Sequence, residues 1–101
     1  VLIGMVIISK AILVEFGIEH AESIEALNKW YAFCKKANWN TISEIKTTFP
    51  SLDYIGNDRY VFNIKGNKYR LVAMIFFDIR TMFIRFIGTH AEYDKIDSTT
   101  I

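Results

Sequence analysis

Hydrophobic and polar positions change their rhythm twice along this chain. An apolar, β-branched run at Met5–Ile8 predicts a strand lying inside a sheet. From Lys10 to about His20 the spacing turns helical, and the Ser9 hydroxyl is placed to cap that helix by accepting an orphan amide. Gly17 weakens it by about 1 kcal/mol relative to alanine, enough to allow a break. A second helix is predicted from about Ala21 to Lys36. Its stripe is Ile24, Leu27, Tyr31 and Cys34, widened by Trp30 and Ala37. Glu22 and Glu25 come early and Lys35 and Lys36 late, as the helix dipole favours. Thr41 followed by Glu44 is a capping-box pattern, so a short helix is expected over Ile42–Thr47, closed by Pro50. Ser51–Asp58 reads as a polar loop.

Beyond Arg59 the rhythm becomes that of strands. Arg59–Ile64, Lys68–Phe77 and Thr81–Ile87 are rich in β-branched and aromatic residues. Lys65-Gly66-Asn67 supplies the positive φ angles of a hairpin turn, and Asp78-Ile79-Arg80 makes the next turn. Lys68–Phe77 is nearly all apolar after its first residues, as expected of a central strand covered on both faces. After Gly88 one helical turn through Glu92 is expected, then a loose polar tail, Asp94–Ile101. A strand, two or three helices and a C-terminal three-stranded antiparallel meander predict an α+β fold. The helices pack on one face of the sheet and leave the other free.

Composition narrows this picture. A chain of 101 residues, half of them hydrophobic and 15% aromatic, predicts one domain over residues 1–101. The apolar opening VLIGMVII stops at Ser9-Lys10, far short of the about 20 residues that span a bilayer, so no membrane segment is expected. Met5 is a candidate natural start, with Val1–Gly4 a leader. The lone cysteine, Cys34, excludes an intramolecular disulfide and a multi-cysteine zinc site, which fits a reducing compartment, the cytoplasm by default. Neither a metal-ligand cluster nor a glycine-rich phosphate loop is present, and no cofactor is expected.

Charge is unevenly placed. Arg59, Lys65, Lys68, Arg70, Arg80 and Arg85 stand against the single acid Asp78 between Arg59 and His90, leaving +5 there and −4 elsewhere in a chain of net +1. An anionic partner for the sheet is the expectation. Arg70, just inside the central strand, suits bidentate phosphate binding, or else pairs with a helix acid such as Glu15 or Glu44. Lys65 and Lys68 flank the hairpin tip. Singly, each reads as a solvated turn lysine. Arg85, alone in an apolar strand, points to the free face or pairs internally. His90 and Tyr93, three residues apart, share a face if that segment is helical. Together these parts match metal-free RNA cleavage. His90 is base or acid, Arg70 with Lys68 holds the phosphorane, and Tyr93 stacks on a base or helps move a proton.

The run FPSLDYIGNDRYVFNIKGNKYRLVAMIFF followed by FIRFIGTHAEYDKI closely resembles the HigB family of bacterial toxins, within the RelE superfamily, over about Ser9 to Ile96. The resemblance implies a RelE-like fold and a ribosome-dependent mRNA endonuclease that cuts messages in the ribosomal A site without a metal. It also implies a HigA-like antitoxin with a helix-turn-helix. By the same resemblance, the arginine of KYRLV at the scissile phosphate is Arg70. The basic or polar residues of the preceding hairpin are Asn63, Lys65 and Lys68, and the segment after the last strand offers His90 and Tyr93. Asn63 is a departure, standing where relatives closer to RelE carry a lysine. An amide takes no proton at neutral pH, which leaves His90 or Lys65 as base. A non-catalytic RNA- or ribosome-binding module using the same basic face is the alternative, and a small partner-binding domain without nucleic acid is a third.

Overall fold

The meander expected beyond Arg59 is present, and a further strand extends it at each side. The computed structural model describes residues 4–101, so the expected leader falls, apart from Gly4, outside the described residues. In chain order the elements are β1 (Val6–Ile8), α1 (Ala11–Glu19), a 3-10 turn (Ala21–Ser23), α2 (Ile24–Lys36) and α3 (Ile42–Thr48). Then come β2 (Asp53–Gly56), β3 (Arg59–Ile64), β4 (Tyr69–Phe76), β5 (Thr81–Thr89) and the short α4 (His90–Tyr93). The five strands form one sheet in the order β1-β5-β4-β3-β2. Only β1 runs parallel to its neighbour, Val6 facing Thr81 and Ile8 facing Phe83.

Several local expectations change. The Met5–Ile8 run is an edge strand rather than an inner one, and Val6 and Ile8 are exposed. The stretch read as a polar loop contains β2, paired antiparallel to β3. Asn57 and Asp58 join the two strands with φ of 53° and 63°, the left-handed pair that tight hairpins require and that Asn and Asp tolerate. Ser9 does not cap α1 with its hydroxyl; its carbonyl accepts from the Ile12 amide at 3.1 Å. Gly17 does not break that helix. A Cβ there would lie 2.9 Å from Ile24 Cγ1, so glycine lets the start of α2 pack against α1.

The helices lie against one face of the sheet, as expected. Tyr69, Leu71, Ala73 and Ile75 of β4 point into a shared core with Leu13, Leu27, Trp30 and Ile45. Trp30 meets Phe62 edge to face at 5.3 Å, and Phe62 meets Phe49 at 5.2 Å. Large side chains buried in this way each contribute about 1.5–3 kcal/mol. Ile24 leaves the predicted stripe and is exposed, while Leu27, Trp30 and Cys34 keep it.

The opposite face is less free than expected. Val61 and Val72 point away from the helices and are buried all the same. Arg59, on that face, donates from Nε to the main-chain oxygen of Ile101 at 3.1 Å, and Asn57 Nδ2 donates to the Thr99 carbonyl at 2.8 Å. These bonds tie the end of the tail, expected to be loose, to the Arg59 end of the sheet. The Arg70 end stays accessible. Among the described residues, no helix is long and apolar enough to cross a membrane.

Candidate active site

Strand register builds a row across the accessible end of the sheet. Asn63 of β3 faces Arg70 of β4, which in turn faces Gly88 of β5. Directly opposed residues share a face, and neighbouring strands are about 4.8 Å apart. Since Tyr69 and Leu71 point into the helix-side core, all three of these residues point away from it. In β5 the register slips: Val72 faces Phe86 but Ala73 faces Ile84, leaving Arg85 unmatched as the extra residue of a bulge. The bulge puts Phe86 on the Arg70 face. A Cβ at Gly88 would come within 2.5 Å of Phe86 Cζ and 3.2 Å of Glu92 Oε1, so glycine is what lets the ring lie over the strand beside Arg70.

Directly after β5, α4 is started by a capping box. Thr89 Oγ1 accepts from the Glu92 amide at 3.2 Å, and Glu92 Oε1 accepts from the Thr89 amide at 2.8 Å. That backbone bond is the main reason the Glu92 carboxyl is held below the usual carboxylate range. Because Thr89 faces Tyr69 across the strands, α4 begins level with Arg70. The Tyr93 ring lies 6.5 Å from Phe86, centroid to centroid. His90 is exposed, with Nδ1 3.1 Å from Asp94 Oδ2. The structure therefore brings Asn63, Arg70, His90 and Tyr93 to one end of the sheet.

Arg70 pairs with neither Glu15 nor Glu44. Its Nη2 donates to Asn67 Oδ1 at 2.7 Å, and its Nη1 to the carbonyls of Asn67 at 3.1 Å and Tyr69 at 3.4 Å. A guanidinium has five N–H donors. With three engaged, the Nε–H and one Nη2–H remain for an incoming oxyanion. Asn67, read from sequence as part of a turn, is thus the residue that orients Arg70.

The other cations are placed differently. Lys68 Nζ lies 3.4 Å from Glu22 Oε1, and Lys65 Nζ donates to the Glu22 carbonyl at 2.8 Å. The Tyr69 hydroxyl also donates to the Glu22 carboxylate, and this bond, with backbone and Lys68 contacts, pulls Glu22 down to about 2. Both hairpin lysines are therefore drawn toward the helix side, away from Arg70. His20 is there too, stacked on Phe16 at 4.2 Å with Nδ1 4.0 Å from Glu22. Arg80 donates to the carbonyls of Trp39 and Ala37, tying the β4–β5 turn to the loop after α2, and to the carbonyl of Gly4 ahead of β1. Arg59 and Arg80 are structural, so the charge excess in the sequence overstates the cations offered to a ligand. Arg85 is exposed and makes no hydrogen bond or ion pair among the described residues.

Three neighbours of the site escaped the sequence reading: Asn67, Phe86 and Asp94. Asp94 had a signal in its i+4 spacing from His90; Phe86 had none, because its face depends on the bulge. Among the described residues, no group of three or more His, Cys, Asp or Glu side chains is arranged to hold a metal ion.

Comparison with known proteins bears on this arrangement. Residues 23–96, which include every residue of the row and α4, match the model of the HigB toxin family, described as the RelE-like toxic component of a toxin-antitoxin system. The chain is 37% identical over 94 residues to the mRNA interferase HigB of Escherichia coli O6:H1, covering 91% of each chain. It is 39% identical over 79 residues to the mRNA interferase HigB of Shigella flexneri, covering 75% of this chain and 72% of the relative. With the family model matched over most of its length and relatives at this level, the chain belongs to the HigB family of RelE-like toxins, the toxic half of a toxin-antitoxin pair.

Proposed function

We propose that this toxin is a ribosome-dependent, metal-independent mRNA endoribonuclease of the cytoplasm, needing no cofactor. In the reaction a ribose 2′-hydroxyl loses its proton to a base, and its oxygen attacks the adjacent phosphorus. The 5′-oxygen then leaves with a proton from an acid, and a 2′,3′-cyclic phosphate remains. Arg70 carries the reading: an oriented guanidinium with two free donors, beside the residues that can move protons. It stabilises the charge that builds on the phosphorane. His90, an imidazole fixed by Asp94, is the base or the acid, and Tyr93 with Phe86 offers aromatic surface for a base to stack on. Lys65, Lys68 and Arg85 attract the RNA backbone, the two lysines by exchanging Glu22 for phosphate. A HigA-like helix-turn-helix antitoxin holds the protein inactive.

Asn63 favours a second reading, an RNA- or ribosome-binding module without catalysis, because the row has an amide where a base would serve. Induced expression of the wild-type chain and of His90→Ala separates the two. Growth arrest with new 5′ ends inside translated messages, lost in His90→Ala, is expected of the nuclease. Ribosome binding with intact messages in both proteins would establish the binding module instead.

A further inference from the structure

The outer surface of the helical layer carries a groove that plays no part in the sheet-face site. Its volume is about 240 Å³, and it runs between α1 and α2. Leu13 and Leu27 floor it and are buried, whereas Val14, Ile18 and Ile24 on its rim are 56%, 77% and 44% exposed. Exposed aliphatics are ordinary when scattered; three along one groove make an apolar patch that water covers poorly. One end of the groove is cationic. Lys10 Nζ lies 4.4 Å and Lys35 Nζ 5.7 Å from the Tyr31 ring centroid, and neither lysine has an ion-pair partner among the described residues.

We propose that this groove receives an amphipathic helix of the antitoxin, whose apolar face covers Val14, Ile18 and Ile24 while a carboxylate meets Lys10 and Lys35. The volume is below the range of about 300–1,000 Å³ typical of small-molecule pockets, and suits a few aliphatic side chains from a partner. The nine residues of α1 span about 14 Å at 1.5 Å each, so the groove accommodates two to three helical turns. The two unpaired ammonium groups set the direction of that helix and select acid over base. Docking here leaves the Arg70 face uncovered, since the helices and the Asn63–Arg70–Gly88 row occupy opposite faces of the sheet. The inference rests on membership of a toxin-antitoxin pair, and does not depend on the nuclease reading.

Binding of the purified chain to its cognate antitoxin, measured by calorimetry with hydrogen exchange on the complex, tests it. Ile18→Asp and Lys10→Glu both alter exposed side chains, and thermal unfolding confirms that each variant folds. Ile18→Asp is expected to weaken binding about 10- to 100-fold, the loss of one interface anchor. Lys10→Glu should slow association most at low salt, and α1 and α2 should gain exchange protection in the complex. Wild-type affinity in both variants, or protection confined to another face, overturns the proposal. So does self-association of the toxin that Ile18→Asp abolishes, which would make a second copy the occupant. Loss of toxicity in the wild-type chain would count against the nuclease and leave this binding result readable.

Discussion

Removing the Arg70 guanidinium is the sharpest test of the candidate site. Its contacts with Asn67 and Tyr69 leave two N–H donors for phosphate. Hydrogen bonds to charged groups contribute about 1.5–3 kcal/mol each, so two set a ceiling of about 3–6 kcal/mol. Loss of a single preorganised donor to a developing oxyanion costs about 2.7–4 kcal/mol in well-studied enzymes. At about 1.4 kcal/mol per tenfold, Arg70→Ala is expected to slow cleavage by roughly 10²–10³. Arg70→Lys keeps the charge but loses the planar fork, and should recover about tenfold of that deficit. Asn67→Ala keeps the guanidinium and frees it to wander, so it should slow cleavage in the same direction by a smaller factor. Stability should change by less than about 1 kcal/mol in each case, because the bonds lost lie at a hairpin open to water. Single-turnover cleavage of end-labelled mRNA on programmed ribosomes measures the rate, with urea unfolding run in parallel. An Arg70→Ala protein that is folded and cuts within about threefold of wild type would refute the assignment.

Other parts of the molecule make separate commitments. Glu22 has its carboxyl pulled down from 4.5 to about 2, first by the Tyr69 hydroxyl. A depressed carboxyl stabilises the fold fully above its unfolded value and loses that contribution as pH falls toward the folded value. Glu22→Gln should therefore lower the urea midpoint near neutrality, by a margin that shrinks below about pH 4.5; a margin independent of pH would contradict a stabilising bond from Tyr69 to the ionised carboxylate. Phe62→Ala removes a ring only 1% exposed, between Trp30 and Phe49, and should cost about 3–5 kcal/mol in denaturant unfolding. A loss under about 1.5 kcal/mol would mean that the core re-collapses there. Cys34 is fully buried, and burial pushes its thiol up, so a thiol reagent should label it only as the protein opens. Labelling of the native protein as fast as of the urea-unfolded chain would be incompatible with this packing.

Much of the candidate site was legible in the chain, unevenly. Arg70 stood out because a cation just inside an apolar strand needs a partner, yet which partner could not be read: Asn67 is three residues away and looked like a turn residue. His90 and Tyr93 were singled out from spacing as candidates, and the Thr89–Glu92 capping box explains why that spacing became a helix. Lys68 was grouped with Arg70 as a second cation two positions away in sequence. Lys68 stands in the turn before β4, and the pull of Glu22 takes its side chain to the helix side, away from Arg70. The missed strand β2 had a signal in Asn57-Asp58, a pair tolerant of positive φ, outweighed by the polarity of the stretch. The edge position of β1 had none, because an apolar run reads alike inside a sheet and at its rim.

Periodicity, turns and caps were decided by the sequence itself, since each depends on residues within a few positions of one another. Most of the α2 stripe, the β3–β4 hairpin, the α3 and α4 caps and the three-stranded meander belong to that class. Only the tertiary structure decided which cations remain for a ligand. Arg80 donates to carbonyls 41 and 43 positions earlier, Lys65 and Lys68 meet Glu22 from 43 and 46 positions away, and Arg59 holds the tail 42 residues on. A donor's partner is whatever acceptor folding brings within about 3 Å, and no local pattern records that distance.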